Sequence, residues 1–144
     1  MRTIADIFKR KGTSNIFITQ DAPVLNALRI MSENNIGSVI VMEGDKYVGL
    51  ITERDYARKV ILHGKNSSEL TVGEIMSEYL PSIHLGASLD ECMHLMTQHN
   101  TRYLPVFDNN SFFGIISIID VVQETINVQK NTIEDLQNYI NFAG

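Results

Sequence analysis

Tryptophan is absent from the 144-residue chain, cysteine occurs once and proline three times. A lone cysteine, Cys92, excludes an internal disulfide, and its place in an apolar helical pattern marks it as a reduced, buried thiol. Positive charge is scarce: 12 Lys and Arg stand against 17 Asp and Glu for a net charge of −5, and the longest basic run is Lys9, Arg10, Lys11. Such a balance argues against a surface built to neutralise a phosphate backbone, so nucleic acid is not an expected partner. Long apolar runs are missing too. None approaches a membrane span, and the opening MRTIADIFKRKG lacks the apolar core of a secretion signal, so no membrane association and a cytoplasmic location are expected.

Catalytic and metal-binding patterns are equally thin. The histidines are His63, His84, His94 and His99; the last two are five apart, off one helical face, and no HExxH or cysteine pair accompanies them. No G-x-S-x-G element frames a nucleophile. A non-enzyme with no catalytic residue, catalytic cofactor or metal is the expectation. What is present is a foldable composition, 44% hydrophobic and 20% charged, in a length that suits one compact domain or two small halves.

The halves are visible as a repeat. Set against itself at an offset of 65 residues, the stretch from Ile18 to Ile61 matches Ile83 to Ile126 at nine positions, including Asn35, Val41, Gly49, Ile51 and Asp55. Composition alone would give about three. After a three-residue shift, TIADIF (3–8) also parallels TVGEIM (71–76). Each copy has a short extended piece (NIFIT, PSIHL), then a helical pattern with Leu25, Leu28 and Met31, or Leu89, Cys92, Met93 and Met96, set to face a core. Two strands follow, joined by Gly44 and Asp45 or by Asn109 and Asn110, and a second helix starts just past Thr52 or Ser117. Strand, helix, strand, strand, helix, twice, predicts an α+β layered protein whose sheets pack face to face over a shared core. The expected organisation is one unit over 3–64, a linker over 65–70, a second unit over 71–128 and a helical extension over 129–144. In that extension Ile133, Leu136 and Ile140 share a helical face behind an Asn131 or Thr132 cap; packing on the chain's own core is the preferred role, a dimer contact the alternative.

One element recurs with three fixed points: GLITERD (49–55) and GIISIID (114–120) keep a glycine, a hydroxyl and an aspartate. The plain explanation is a reciprocal helix cap, with Thr52 and Asp55, or Ser117 and Asp120, exchanging hydrogen bonds across the first turn. Gly49 and Gly114 fall outside such a cap and lie in strands, where glycine is costly unless something approaches the backbone closely. The functional explanation adds a ligand: a carboxylate fixed beside a helix N-terminus can accept two hydrogen bonds from a ribose diol.

At these residues the chain resembles a tandem, stand-alone cystathionine-β-synthase (CBS) domain pair. ALRIMSENNIGSVIV and CMHLMTQHNTRYLPV, each followed by VGLITERDYARKVI or FGIISIIDVVQETI, carry the resemblance, with VGEIM before the second copy. It implies a regulatory module that binds an adenosine nucleotide, AMP first, with ADP, ATP, NADH or S-adenosylmethionine as alternatives, in a cleft between copies. It also implies a homodimer that signals energy or redox state to a separate effector protein. Carried over residue by residue, Asp55 and Thr52 hold the ribose, Arg102 meets the phosphate, and Leu50, Leu80 and Pro81 enclose the base; by position alone, His99 near Arg102 is a further phosphate contact, and Arg54 in the first turn of its helix is set to face either the phosphate or water. A second, weaker site takes Asp120, Ser117 and Ile16. Arg102 aligns with Gly37, so only the first site has the guanidinium, worth about 1.5 to 3 kcal/mol in a charge-assisted contact. Ile119 stands where related second copies often have glycine. The rival expectation is a ligand-free dimerisation or scaffold module.

Overall fold

The computed structural model describes residues 2–14 and 16–143. Each repeat builds a small three-stranded sheet of the same order. In the first, β1 (Phe17–Ile18) runs parallel to β2 (Ser38–Glu43), which pairs antiparallel with β3 (Lys46–Thr52). In the second, β4 (Ile83–His84), β5 (Tyr103–Asp108) and β6 (Ser111–Ser117) repeat the pattern, down to a register shift at Val41/Met42 and its counterpart at Val106/Phe107. The helices are α1 (Ile4–Lys11), α2 (Val24–Asn34), α3 (Glu53–Lys59), α4 (Val72–Ile75), α5 (Leu89–Gln98) and α6 (Ile118–Ala143), with a 3-10 turn at Ile61–His63. The α+β class and the doubled element order agree with the sequence expectation.

Local chemistry explains the boundaries. Asn35 and Asn100, an identical pair in the repeat, end α2 and follow α5 with φ of 53° and 50°, a left-handed conformation that asparagine tolerates well. Gly44 (φ 60°) and Asn109 and Asn110 (φ 48° and 68°) close the two hairpins. Two helices begin without a side-chain cap of full strength and borrow main-chain acceptors instead: Val24 and Leu25 N–H donate to the Leu70 and Ser67 carbonyls, Ile4 and Ala5 N–H to those of Ala87 and Leu85. Helix starts leave such donors unpaired, so residues 67–70 are bonded into the fold and do not hang as a tether.

Two cores form. One contains Val24, Ala27, Met31, Val39, Val41 and Ile51; the other contains Cys92, Met96, Leu104, Val106, Ile116 and Val121. The buried stripe of α2 is therefore Val24, Ala27 and Met31, with Leu28 packed beside it, while Leu25 is only half-buried. On α5 the expected core position Met93 is 42% exposed, because it follows Cys92 by a single residue, about 100° round the helix, and so turns toward solvent.

The compact units are not the sequence repeats. Ser14–Leu80 forms one, and Met1–Thr13 with Pro81–Gly144 forms the other. Helix α1 precedes the first repeat yet sinks Ile4, Ile7 and Phe8 into the core of the second, whereas α4 and the residue after it, which precede the second, sink Val72, Ile75 and Met76 into the core of the first. The parallel between TIADIF and TVGEIM is thus a crosswise exchange of the same part. It also accounts for the two strand glycines. A Cβ on Gly114 would lie 2.9 Å from the Phe8 ring, and one on Gly49 would lie 2.9 Å from both Met76 Sδ and the Ser77 carbonyl. The close approach comes from the chain itself.

The tail differs from expectation. Asn131 and Thr132 cap nothing; Thr132 Oγ1 donates to the Val128 carbonyl inside one helix of 26 residues. No glycine or proline interrupts 118–143, so nothing stops the helix at the end of the repeat. Ile133, Leu136 and Ile140 do not pack on the chain's own core but stand 55–65% exposed.

Candidate functional site

The end of β3 delivers Leu50, fully buried, then Thr52 as the residue before α3. Thr52 Oγ1 accepts from Asp55 N–H at 3.0 Å, and Asp55 Oδ2 accepts from Thr52 N–H and Oγ1–H at 3.0 Å each, so the reciprocal cap is realised in full. The other carboxylate oxygen is also engaged. Oδ1 accepts from Ser77 Oγ at 2.9 Å and pairs with Lys59 Nζ at 3.0 Å. Only 5% of Asp55 is exposed, and a charge so enclosed must be paired to be tolerated. Arg54, one position earlier in the turn, is half-buried.

Lys59 and Ser77 are residues that motif reasoning passed over. The lysine was within reach of it, since it stands four positions after Asp55 on one helix. Its Nζ also donates to the Ile75 carbonyl at 2.8 Å, which ties α3 to the end of α4. Ser77 arrives through tertiary structure: Leu50 N–H donates to its carbonyl at 3.0 Å and its own N–H returns to Leu50 at 2.8 Å. Leu80, at the end of this unit, and Pro81, at the start of the next, are half-buried, and Ile16 packs on the first-repeat core.

The second copy repeats the cap with different neighbours. Ser117 N–H donates to Asp120 Oδ2 at 2.9 Å and Asp120 N–H to Ser117 Oγ at 3.1 Å. The cation here is Lys11 from α1, 2.8 Å from Oδ2 and 3.0 Å from the Ile115 carbonyl. No local spacing could have announced it. Arg102 is exposed and caps the same helix with its main chain, its carbonyl accepting from Ile118 N–H at 2.9 Å. Among the described residues its side chain forms no ion pair. His99, at the end of α5, is exposed, as is Ile119 at 64%.

Elsewhere in this unit, Glu124 is 3% exposed and is held by Arg10 at 3.2 Å and Arg2 at 3.6 Å. Burial pushes the Cys92 thiol up to about 11, the nearby charge of Asp120 adding to it, and burial alone raises the Tyr47 phenol to about 12. Both groups are neutral in ordinary buffers. Among the described residues no three His, Cys, Asp or Glu side chains are grouped to hold a metal, and no helix is long and apolar enough to cross a membrane.

Comparison with known proteins matches the CBS domain model twice, at residues 3–62 and 72–126. The mitochondrial CBS domain-containing protein CBSX3 of Arabidopsis thaliana is 34% identical over 96% of this chain and 71% of its own length. Among solved structures, a CBS-domain protein of Burkholderia ambifaria is 40% identical with a TM-score of 0.83, covering 88% of this chain and 95% of that one. The CBS-domain protein ATU1752 of Agrobacterium tumefaciens is 29% identical with a TM-score of 0.81, covering 86% and 99%. With both repeats matched and the crosswise glycine contacts accounted for, the chain belongs to the CBS-domain family.

Proposed function

We propose that this protein is a regulatory sensor, without catalysis of its own, that binds an adenosine nucleotide through Asp55 and works as a homodimer on a separate effector protein. AMP is the first candidate, with ADP, ATP, NADH and S-adenosylmethionine as alternatives. The observation that carries the reading is the division of labour on Asp55. Oδ2 is committed to the helix cap, while Oδ1 is held by a neutral hydroxyl, Ser77, and by Lys59, whose side chain is 44% exposed. Those two partners can give way to a ribose diol without uncapping α3. Arg102, exposed and without an ion pair among the described residues, is the cation assigned to phosphate, with Thr52, Arg54 and His99 as supporting polar groups and Leu50, Leu80 and Pro81 as the apolar ones.

Asp120, Ser117 and Ile16 are assigned a weaker role, since Lys11 lies on the same oxygen that closes the second cap. Isothermal calorimetry and thermal melts with each nucleotide test the proposal; saturation at 100 times Kd stabilises by about 2.7 kcal/mol. Asp55→Ala and Arg102→Ala should each lose most of the binding heat and Asp120→Ala should keep it. Silence from every adenosine compound would leave the scaffold reading, and equal loss from both aspartate variants would overturn the assignment to Asp55.

A further inference from the structure

Helix α6 is apolar on two opposite sides. One side serves its own unit, with Val121 buried and Ile118 packed against the same core. The other carries Ile119, Val122, Ile126, Ile133, Leu136 and Ile140, all 47–65% exposed. Their spacings are three, four, seven, three and four residues, which is a heptad register: isoleucine at each of the four a positions, and Val122, Gln129 and Leu136 at the d positions. A repeat of this period keeps one seam facing a partner along the whole helix.

We propose that this seam pairs with the same seam of a second copy of the chain as a parallel two-stranded coiled coil. β-Branched isoleucine at a with leucine at d, the combination present around Leu136, favours two parallel strands. No a or d position is charged, and the flanking e and g positions, Gln123, Thr125, Lys130, Thr132, Gln137 and Tyr139, bring a single charge, so two identical seams meet with little repulsion. In parallel register Gln129 faces its own copy, and the two amides can bond to each other, which penalises slippage. Size fits as well. The helix is about 39 Å long, and six side chains offering on the order of 100 Å² each supply about 600 Å² of the roughly 800 Å² per partner of a standard interface. Independent support comes from the tail itself: every residue of 129–141 is exposed, and a helix of about that length is marginal in water without tertiary packing.

The pairing rests on the homodimer reading above and needs no nucleotide. Sedimentation of the full chain, wild type against Ile133→Asp/Leu136→Asp, tests it, with cooperative melting as the check that the body of the fold is intact. A wild-type dimer and a variant weakened at least 100-fold are expected. A variant that stays dimeric overturns the coil and leaves the homodimer standing; a monomeric wild type, or one that associates only with a different protein, overturns both. Orientation is read separately from Leu136→Cys. Cys92 is fully buried, so the new thiol is the reactive one, and mild oxidation should link two chains quantitatively. Failure to link while the dimer persists refutes the parallel seam.

Discussion

Replacing Gly114 with alanine tests whether the strand glycines are there for the chain or for a ligand. The added Cβ would sit 2.9 Å from Phe8 Cε1 and 3.1 Å from Cζ, where ordinary contact begins near 3.4 Å. The ring has little freedom to retreat. It is 7% exposed, packs edge-on against Phe113 with centroids 5.0 Å apart, and lies under Lys11 Nζ at 5.2 Å. Overpacking of this kind costs about 1–3 kcal/mol. At about 2–4 °C per kcal/mol for a chain of this size, the melting temperature of the nucleotide-free protein should fall by roughly 2–12 °C. Shortening the ring should relieve the conflict: in the Gly114→Ala/Phe8→Leu double variant the two costs should be less than additive by about 0.5–3 kcal/mol, measured by urea unfolding of all four members of the cycle. Gly49→Ala should resist the equivalent rescue. Its nearest neighbours include the Ser77 carbonyl, pinned by reciprocal bonds with Leu50, and trimming Met76 does not move a main-chain atom. An unchanged melt for Gly114→Ala, or strictly additive costs, would refute the packing account and return the glycine to a ligand.

Two more expectations concern buried groups. Asp55→Ala should lose about 0.5–2 kcal/mol from the missing cap alone, even without nucleotide, as read from the urea midpoint; a neutral outcome would detach Asp55 from α3. Cys92 should be silent to a thiol reagent at pH 8 until denaturant is added. Because its folded pKa is raised to about 11 from an ordinary value of 9.0, the stability it contributes is present below pH 9 and lost between about pH 9 and 11. The stability gap between wild type and Cys92→Ala should narrow over that window, and a constant gap would contradict the buried thiol.

Much of the fold was legible because it is local. Hairpins closed by Gly44 or Asn109, helices ended at Asn35 and Asn100, and caps at Thr52 and Ser117 all declare themselves within a few residues. What stayed hidden depends on distant partners. Nothing near Asp120 announces Lys11, and nothing near Gly114 announces Phe8, because both come from α1, more than a hundred positions earlier. Met93 shows the limit of apolar spacing: a hydrophobic residue one step off the stripe reads as core until the helix is docked. The tail misled for a related reason. Its apolar face was visible, but a face says only that it wants covering and not by what.

The crosswise seating of α1 sets an order on synthesis. Helix α1 is made before either sheet but belongs to the unit that is completed after the other, so Ile4, Ile7 and Phe8 wait uncovered until the chain beyond Pro81 has been made, on the order of ten seconds at ordinary elongation rates. A nascent chain halted near Leu80 would therefore hold one finished unit and one sticky leader, a natural client for a holdase.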